Sequence, residues 1–385
     1  AIPPRHARTE AATPRSRPEG DVPAPAPGEW VDYPDGSSFV TSLAEGGSPR
    51  AVATVRPGES WPDLLAVSAA AVASSGRGAL LVVPDTKDVA RVDAALTARL
   101  GPDRHVLLHG DQGPSARYRR FLAIRRGHVC IALGTRSAAY APIHRLGLVV
   151  VWDDGDDLLA EPRAPYPHAR DVALMRAHQQ GCGLLIAGFA RTSEAHRLVR
   201  TGWAAQLRAG REQVRRLAPA LTAATDDRAG LAGRRLPEEV FAVVRRALPH
   251  GPVLVQVPRR GYRPVVACQG CRAQARCSSC GGPLAQSAES DPLQCQRCGR
   301  SEEHWRCPAC ERDQWRAVTV GEGRTALELG RAFPGTPVRR SGLGHILTDV
   351  PDEPALVVAT PGAEPVAAGG YAAAVLLDGD AMLAR

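Results

Sequence analysis

Eight of the ten cysteines lie between positions 268 and 310, in four Cys-x-x-Cys pairs: Cys268/Cys271, Cys277/Cys280, Cys295/Cys298 and Cys307/Cys310. Two intervening residues let both sulfurs of a pair reach one metal ion from a tight turn, and four thiolates give zinc a closed tetrahedral site. Eight thiolates therefore predict two zinc ions. Disulfides and an iron–sulfur cluster are the competing readings. The sequence shows no sign of secretion, and four evenly matched pairs suit zinc better than a cluster. The pairs can nest or can follow one another in sequence. The nested arrangement is the expectation carried forward, with sequential pairing as its competitor. It puts Cys268, Cys271, Cys307 and Cys310 on one zinc and Cys277, Cys280, Cys295 and Cys298 on the other. Cys130 and Cys182 lie in or beside apolar runs and read as small core residues.

Around the cysteines the pattern is α/β. The chain has 385 residues, 44% of them hydrophobic, enough for two or three domains with real cores. Short runs apolar on both faces predict strands at 79–84, 105–109, 129–134, 146–152 and 183–188. They alternate with predicted helices at 61–75, 87–99, 114–126, 168–179 and 192–207, which implies a parallel sheet covered on each side. A second set follows, with a helix at 236–247 and strands at 253–258, 317–320, 338–341, 355–360 and 373–378. The expected organisation is a Pro/Arg-rich linker over 1–28, a first lobe over 29–222 and the start of a second lobe over 223–262. A paired zinc-binding insert over 263–315 and the rest of the second lobe over 316–385 complete it. The chain does not begin with methionine and stops just after a strand, so it reads as a piece of something longer. No apolar run is long enough to cross a membrane, and a cytoplasmic protein is expected.

Formal net charge is +8, which favours a polyanionic partner. Lys87 is the only lysine, which matches a GC-rich coding bias, so arginine number alone carries no functional signal. "LGLVVVWDDGDD" (146–157) is an apolar run ending in aspartates, the form taken by a strand that presents magnesium-binding acids beside a phosphate loop. Such a loop needs glycines and a lysine followed by Ser or Thr. Its expected place, "ATVRPGESWPDLLAVSAAAV" (53–72), holds one glycine, Gly58, and no lysine. Arg56 could stand in for the lysine, but the glycines would still be absent. Asp153 and Asp154 are thus candidate acids without a partner loop, and neither ATP nor magnesium is expected as a cofactor.

Several ordered segments together resemble the PriA family of primosomal replication-restart helicases. They are "RRGYRPVVACQGCRAQARCSSCGGPL" (259–284), "GTRSAAYAPIHRLGLVVV" (134–151), "YPHARDVALMRA" (166–177) and "GRTALELGRAFPGTPVRRS" (323–341). The nucleotide motifs depart from the family. The Asp-Glu-Glu-His box aligns with "WDDGD" (152–156), the Ser-Ala-Thr-Pro motif with "GFARTSE" (188–194) and the Gly-Thr-Gln-Met motif with "ATPGAEP" (359–365). This combination is similar to actinobacterial members with degenerate helicase motifs. The resemblance implies two RecA-like lobes, two structural zincs and a nucleoid-associated protein. It also implies that most of an N-terminal domain binding DNA 3′ ends and a C-terminal arginine finger lie outside the chain. Implied partners are forked or single-stranded DNA, other primosome proteins, single-stranded-DNA-binding protein and the replicative helicase. Arg136, Arg259, Arg260 and Tyr262 are the expected DNA contacts. Two rival readings are an active ATP-dependent 3′-to-5′ DNA helicase and a zinc-dependent protein-interaction scaffold.

Overall fold

The structure, a computed structural model, describes residues 7–12, 22–109, 113–223, 236–258, 266–285, 292–295, 297–317, 322–342 and 344–377. The chain divides into two compact units, Ala1–Leu221 and Thr222–Arg385.

Unit 1 is built on seven strands: β1 (Arg50–Thr54), β2 (Gly78–Val82), β3 (His105–Leu108), β4 (Ile131–Gly134), β5 (Leu146–Trp152), β6 (Gly183–Gly188) and β7 (Ala205–Arg208). They form one parallel sheet in the order β3-β4-β2-β5-β6-β1-β7. β2, β4 and β6 are buried along their whole length, and β5 from its second residue onward. Parallel strands need helical crossovers, and those helices cover both faces. The helices are α1 (Ala7–Ala12), α2 (Gly36–Ala44), α3 (Trp61–Ser74), α4 (Thr86–Leu100), α5 (Pro114–Arg125), α6 (Ala169–Gln180), α7 (Ser193–Arg200) and α8 (Arg211–Leu217). α2, α3 and α4 share one apolar cluster with Trp30 and one face of the sheet. α6 and residues of α5 and α7 build the other. α3 is apolar all round because it is enclosed all round: Leu64, Leu65, Ala66, Ala69 and Ala71 are at most 1% exposed.

In unit 2, β8 (Val253–Gln256), β14 (Val338–Ser341), β16 (Leu356–Ala359) and β18 (Ala373–Leu376) form a parallel sheet in the order β14-β16-β8-β18. The helices Glu238–Ala247 and Glu322–Ala332 share its apolar cluster. The cysteine-rich insert contains only short strands. β9 (Val266–Cys268) pairs antiparallel with β13 (Trp315–Ala317), and β10 (Leu284–Ala285), β11 (Leu293–Cys295) and β12 (Ser301–Glu302) form a three-stranded ladder. β15 (Asp349–Val350) and β17 (Val366–Ala367) make a two-stranded parallel pair.

Several local expectations are corrected. The stretch 1–28 is not all linker: α1 lies within it, with Thr9 buried and its hydroxyl 2.8 Å from that of Ser115 on α5. The helix expected over 192–207 ends at Arg200, because Gly202 at φ +71° turns the chain into β7. β1 is not marked by the sequence pattern, since its short run of Ala and Val passes through Val55 and Arg56 into Pro57. The strand expected over 317–320 is observed as Trp315–Ala317 within the insert, and 318–321 lie outside the described residues.

The enclosed alanine face of α3 leaves no room for a longer side chain. Ala69→Leu is expected to cost about 1–3 kcal/mol through overpacking. A urea unfolding curve with an unshifted midpoint would contradict that packing.

Candidate metal centres and the acidic strand end

Each Cys-x-x-Cys pair sits in the same turn. The first cysteine N–H donates to the carbonyl five residues on: Cys268 to Ala273 at 2.9 Å, and Cys277 to Gly282, Cys295 to Arg300 and Cys307 to Arg312, each at 2.8 Å. The residue after each second cysteine has positive φ: Arg272, Gly281, Gly299 and Glu311. Four knuckles of one shape thus point their sulfurs inward. They converge as two tetrads, Cys268, Cys271, Cys307 and Cys310, and Cys277, Cys280, Cys295 and Cys298, each with its ligand atoms within 4.8 Å of one another. The outer pairs therefore meet each other, and so do the inner pairs.

Sulfur separations are 3.4 Å for Cys268–Cys310, Cys271–Cys307 and Cys280–Cys295, and 3.8 Å for Cys277–Cys298. These are far too long for disulfides, which need about 2.05 Å. Four sulfurs about 2.3 Å from a common ion stand about 3.8 Å apart, so the tetrads fit tetrahedral zinc. Backbone N–H groups aimed at sulfur favour the thiolate. That of Cys271 first holds the Cys268 thiol down at about 6, and that of Cys298 does the same for Cys295.

The acidic strand end in unit 1 separates into two roles. Asp154 is 3% exposed, and its Oδ2 accepts from Arg170 Nη1 at 3.1 Å and from the Thr192 hydroxyl at 2.6 Å. Arg170 lies in the first turn of α6, and Thr192 caps α7 by accepting the Ala195 N–H at 3.1 Å. Asp154 is therefore a tie between β5, α6 and α7. Asp153 turns the other way, at φ +49°, with its N–H on the Ala187 carbonyl at 2.7 Å. Burial raises its pKa, and Asp156 and Asp154 raise it further.

The place of the expected phosphate loop, between β1 and α3, is filled by side chains. Trp61 opens α3 and stacks on Trp152 at the end of β5, with ring centroids 4.0 Å apart and planes 6° apart. The Arg91 guanidinium lies 4.8 Å over the Trp61 ring, and Phe189 meets Trp152 edge-on. Pro62, in the first turn, removes one of the N–H groups that a helix start offers an anion. Arg56 is committed to Asp32 and to Glu59, whose carboxylate also accepts the Tyr33 hydroxyl. Its guanidinium is thus paired with two carboxylates.

Asp85 and Asp88, at the start of α4, add to the negative field of Asp153 and Asp156. Burial, then Asp85, pushes the Asp88 carboxyl up to about 7. A carboxyl raised in the folded state holds its proton where the unfolded chain has lost it. Its contribution to stability is full below the unfolded value near 4 and is lost as pH rises to about 7. Asp88→Asn is expected to match the parent at pH 4 and to gain in unfolding midpoint as pH rises through 7. A gap between the two proteins that stays constant with pH would contradict this placement of Asp88.

The predicted DNA contacts fare differently. Arg136 is engaged within unit 1: Nη1 donates to the Leu158 carbonyl at 2.9 Å and the Ala160 carbonyl at 2.7 Å, and Nη2 lies 3.0 Å from Glu161. Arg259, Arg260 and Tyr262 lie outside the described residues. Cys182 is buried, and burial raises its thiol pKa; Cys130 packs at the edge of a core cluster. Sequence reading missed Arg170 and Thr192 as the partners of Asp154, although the His-Ala-Arg-Asp segment already pointed to the first. No helix among the described residues is long and apolar enough to cross a membrane.

No family model matches the chain. Among solved structures, RecG bound to a three-way DNA junction aligns over 67% of this chain and 32% of its own, at 14% identity and a TM-score of 0.38. Among curated proteins, the "Probable replication restart protein PriA" of Mycobacterium tuberculosis is 50% identical over 394 residues, covering all of this chain. That of Mycobacterium leprae is 49% identical over 397 residues, again over the whole chain. The chain spans 60% and 61% of the length of these two relatives. The "Replication restart protein PriA" of Bacillus subtilis is 24% identical over 70% of the chain and 34% of its own length. Along its whole length, then, the chain has half of its residues identical to those of mycobacterial proteins named as probable replication restart protein PriA.

Proposed function

We propose that this chain is a helicase-derived body that serves replication restart by binding forked or branched DNA and helping to reload the replication machinery, without turning over ATP. The family name of its relatives supports the restart role, and the net charge of +8 supports a polyanionic partner. Because the chain spans three fifths of those relatives, the partners of the whole protein belong to the proposal too. These are other primosome proteins, single-stranded-DNA-binding protein and the replicative helicase.

The single observation that carries the lack of turnover is the Trp61–Trp152 stack at the start of α3. Phosphoryl transfer relies on cations and dipoles placed around the γ-phosphate. Here the corresponding space holds two stacked indoles under the Arg91 guanidinium, a proline and the nearby carboxylates of Asp85, Asp88, Asp153 and Asp156, so a nucleotide's phosphates meet a filled and mainly acidic surface. With ATP, magnesium and forked DNA, the chain is expected to hydrolyse ATP at background, beside an intact-loop helicase as control. A rate that rises with DNA and falls in Asp153→Asn would overturn this reading. That variant is chosen because it leaves the Asp154–Arg170 contact in place.

The two tetrads are proposed as structural zinc sites, with Cys268, Cys271, Cys307 and Cys310 on one ion and Cys277, Cys280, Cys295 and Cys298 on the other. Bound zinc supplies a four-way crosslink and no open coordination position. Paired substitutions separate nested from sequential ligation. Cys271→Ser with Cys307→Ser is expected to retain one ion per chain by elemental analysis, and Cys271→Ser with Cys280→Ser none. The opposite pattern would establish sequential pairing.

A further inference from the structure

A cavity of about 420 Å³ opens at the C-terminal edge of the unit 1 sheet, beside the edge strand β7, lined by Thr54, Arg191, Thr192, Ser193, His196 and Arg208. None of its lining residues belongs to α3. We infer that this cavity and the surrounding β7 edge form a binding site for the phosphodiester backbone of single-stranded DNA. The inference rests on the DNA-binding reading above.

The lining is cationic and contains no carboxylate. Arg191 is fixed over β7 by a neutral acceptor, the Gln206 side-chain carbonyl at 3.2 Å, which orients the guanidinium without cancelling its charge. Arg208 ends β7, is exposed, and no hydrogen bond or ion pair engages its guanidinium among the described residues. The His196 imidazole and the hydroxyls of Thr54 and Ser193 add further polar groups. Two acids touch lining residues: Glu194, with its carboxylate 3.6 Å from Arg170, accepts the Ser193 hydroxyl at 3.1 Å, and Asp154, balanced by Arg170, accepts the Thr192 hydroxyl at 2.6 Å. The cavity also lies at the start of α7, whose dipole favours negative charge.

The surroundings extend this field. Residues 189–217 hold seven arginines against two glutamates. A single small anion would use only the cavity, whereas a strand of phosphates can also engage the arginines of α7 and α8. Charge complementarity along an edge therefore favours a polymer over a free anion. The arginines offer sequence-independent contacts to phosphate, and few aromatic side chains stand beside them to read bases.

The test compares the chain with Arg191→Ala/Arg208→Ala and with a charge-matched control, Arg245→Ala/Arg246→Ala, in unit 2. Binding to labelled oligothymidylate is titrated over a range of salt, and thermal melts check folding of each protein. Losing two backbone contacts is expected to lower the slope of log affinity against log salt by about 1.4 in the cavity variant. The control should keep the parent slope. If the parent binds and both variants show the same slope change, the cavity is not the site, while the DNA-binding reading stands. If the parent fails to bind oligonucleotide or fork at any salt, both readings fall. If inorganic phosphate shifts the His196 and Arg208 resonances while oligonucleotide does not, the ligand is a free anion and the proposal is overturned.

Discussion

The Asp154 carboxylate is the constraint on which the C-terminal edge of the unit 1 sheet depends. It is nearly inaccessible to water, and its charge is balanced by Arg170 and a short hydrogen bond from Thr192. Removing one partner of such a buried pair typically costs about 3–5 kcal/mol, because the other charge is left stranded. The geometric consequence matters as much as the energy. Arg170 fixes the start of α6, where its N–H also donates to His168 Nδ1 at 3.1 Å. That cap needs an unprotonated ring nitrogen, and burial followed by the nearby Arg170 charge lowers the His168 pKa accordingly. Thr192 fixes the start of α7. One carboxylate thereby sets where two helices begin beneath the C-terminal ends of the strands, and so where Arg191 and His196 stand.

Much of the fold was legible because its signals are local. Strands apolar on both faces identify a covered parallel sheet, and β2, β5 and β6 appear close to where their runs begin and end. β1 and β7 were not legible, since both are short, and one merges into Pro57 while the other follows a helix without a break in polarity. The tetrads were legible for the same reason as the strands. Two residues between cysteines is a local rule, and four repetitions leave few ways to combine them. The choice of nesting over sequence is a long-range matter: the β9–β13 pair brings Cys268 beside the segment entering from Cys307 and Cys310.

The phosphate loop could be read as absent, but what replaces it could not. Trp61 and Trp152 are 91 positions apart and meet only because β5 and α3 are brought together by the sheet order. The same limit hid the fate of the acids. Asp154 finds its partners 16 and 38 residues away, so its sequence context looks like that of a metal-binding acid while its contacts are those of a buried structural charge. An acidic strand end is thus weak grounds for nucleotide chemistry by itself. Asp154 would be required for packing whether or not a phosphate ever approached it.

The two units hold themselves together by different means. Unit 1 encloses α3 and buries strands throughout, so its core is large enough to stand on apolar contacts. The insert of unit 2 has strands of two or three residues, and four of the nine buried residues in its core cluster are cysteines that belong to the tetrads. Without a metal to crosslink the tetrads, little apolar surface would remain to offset the entropy of ordering those turns, which is the usual reason small folds take up metal. Arg272 and Glu311 sharpen the point, because each occupies the left-handed backbone region without glycine's freedom to do so. Something stronger than local preference has to hold these two knuckles closed. Converging thiolates on a common ion would do so, and would make the insert's fold a function of metal in a way that the sheet of unit 1 is not.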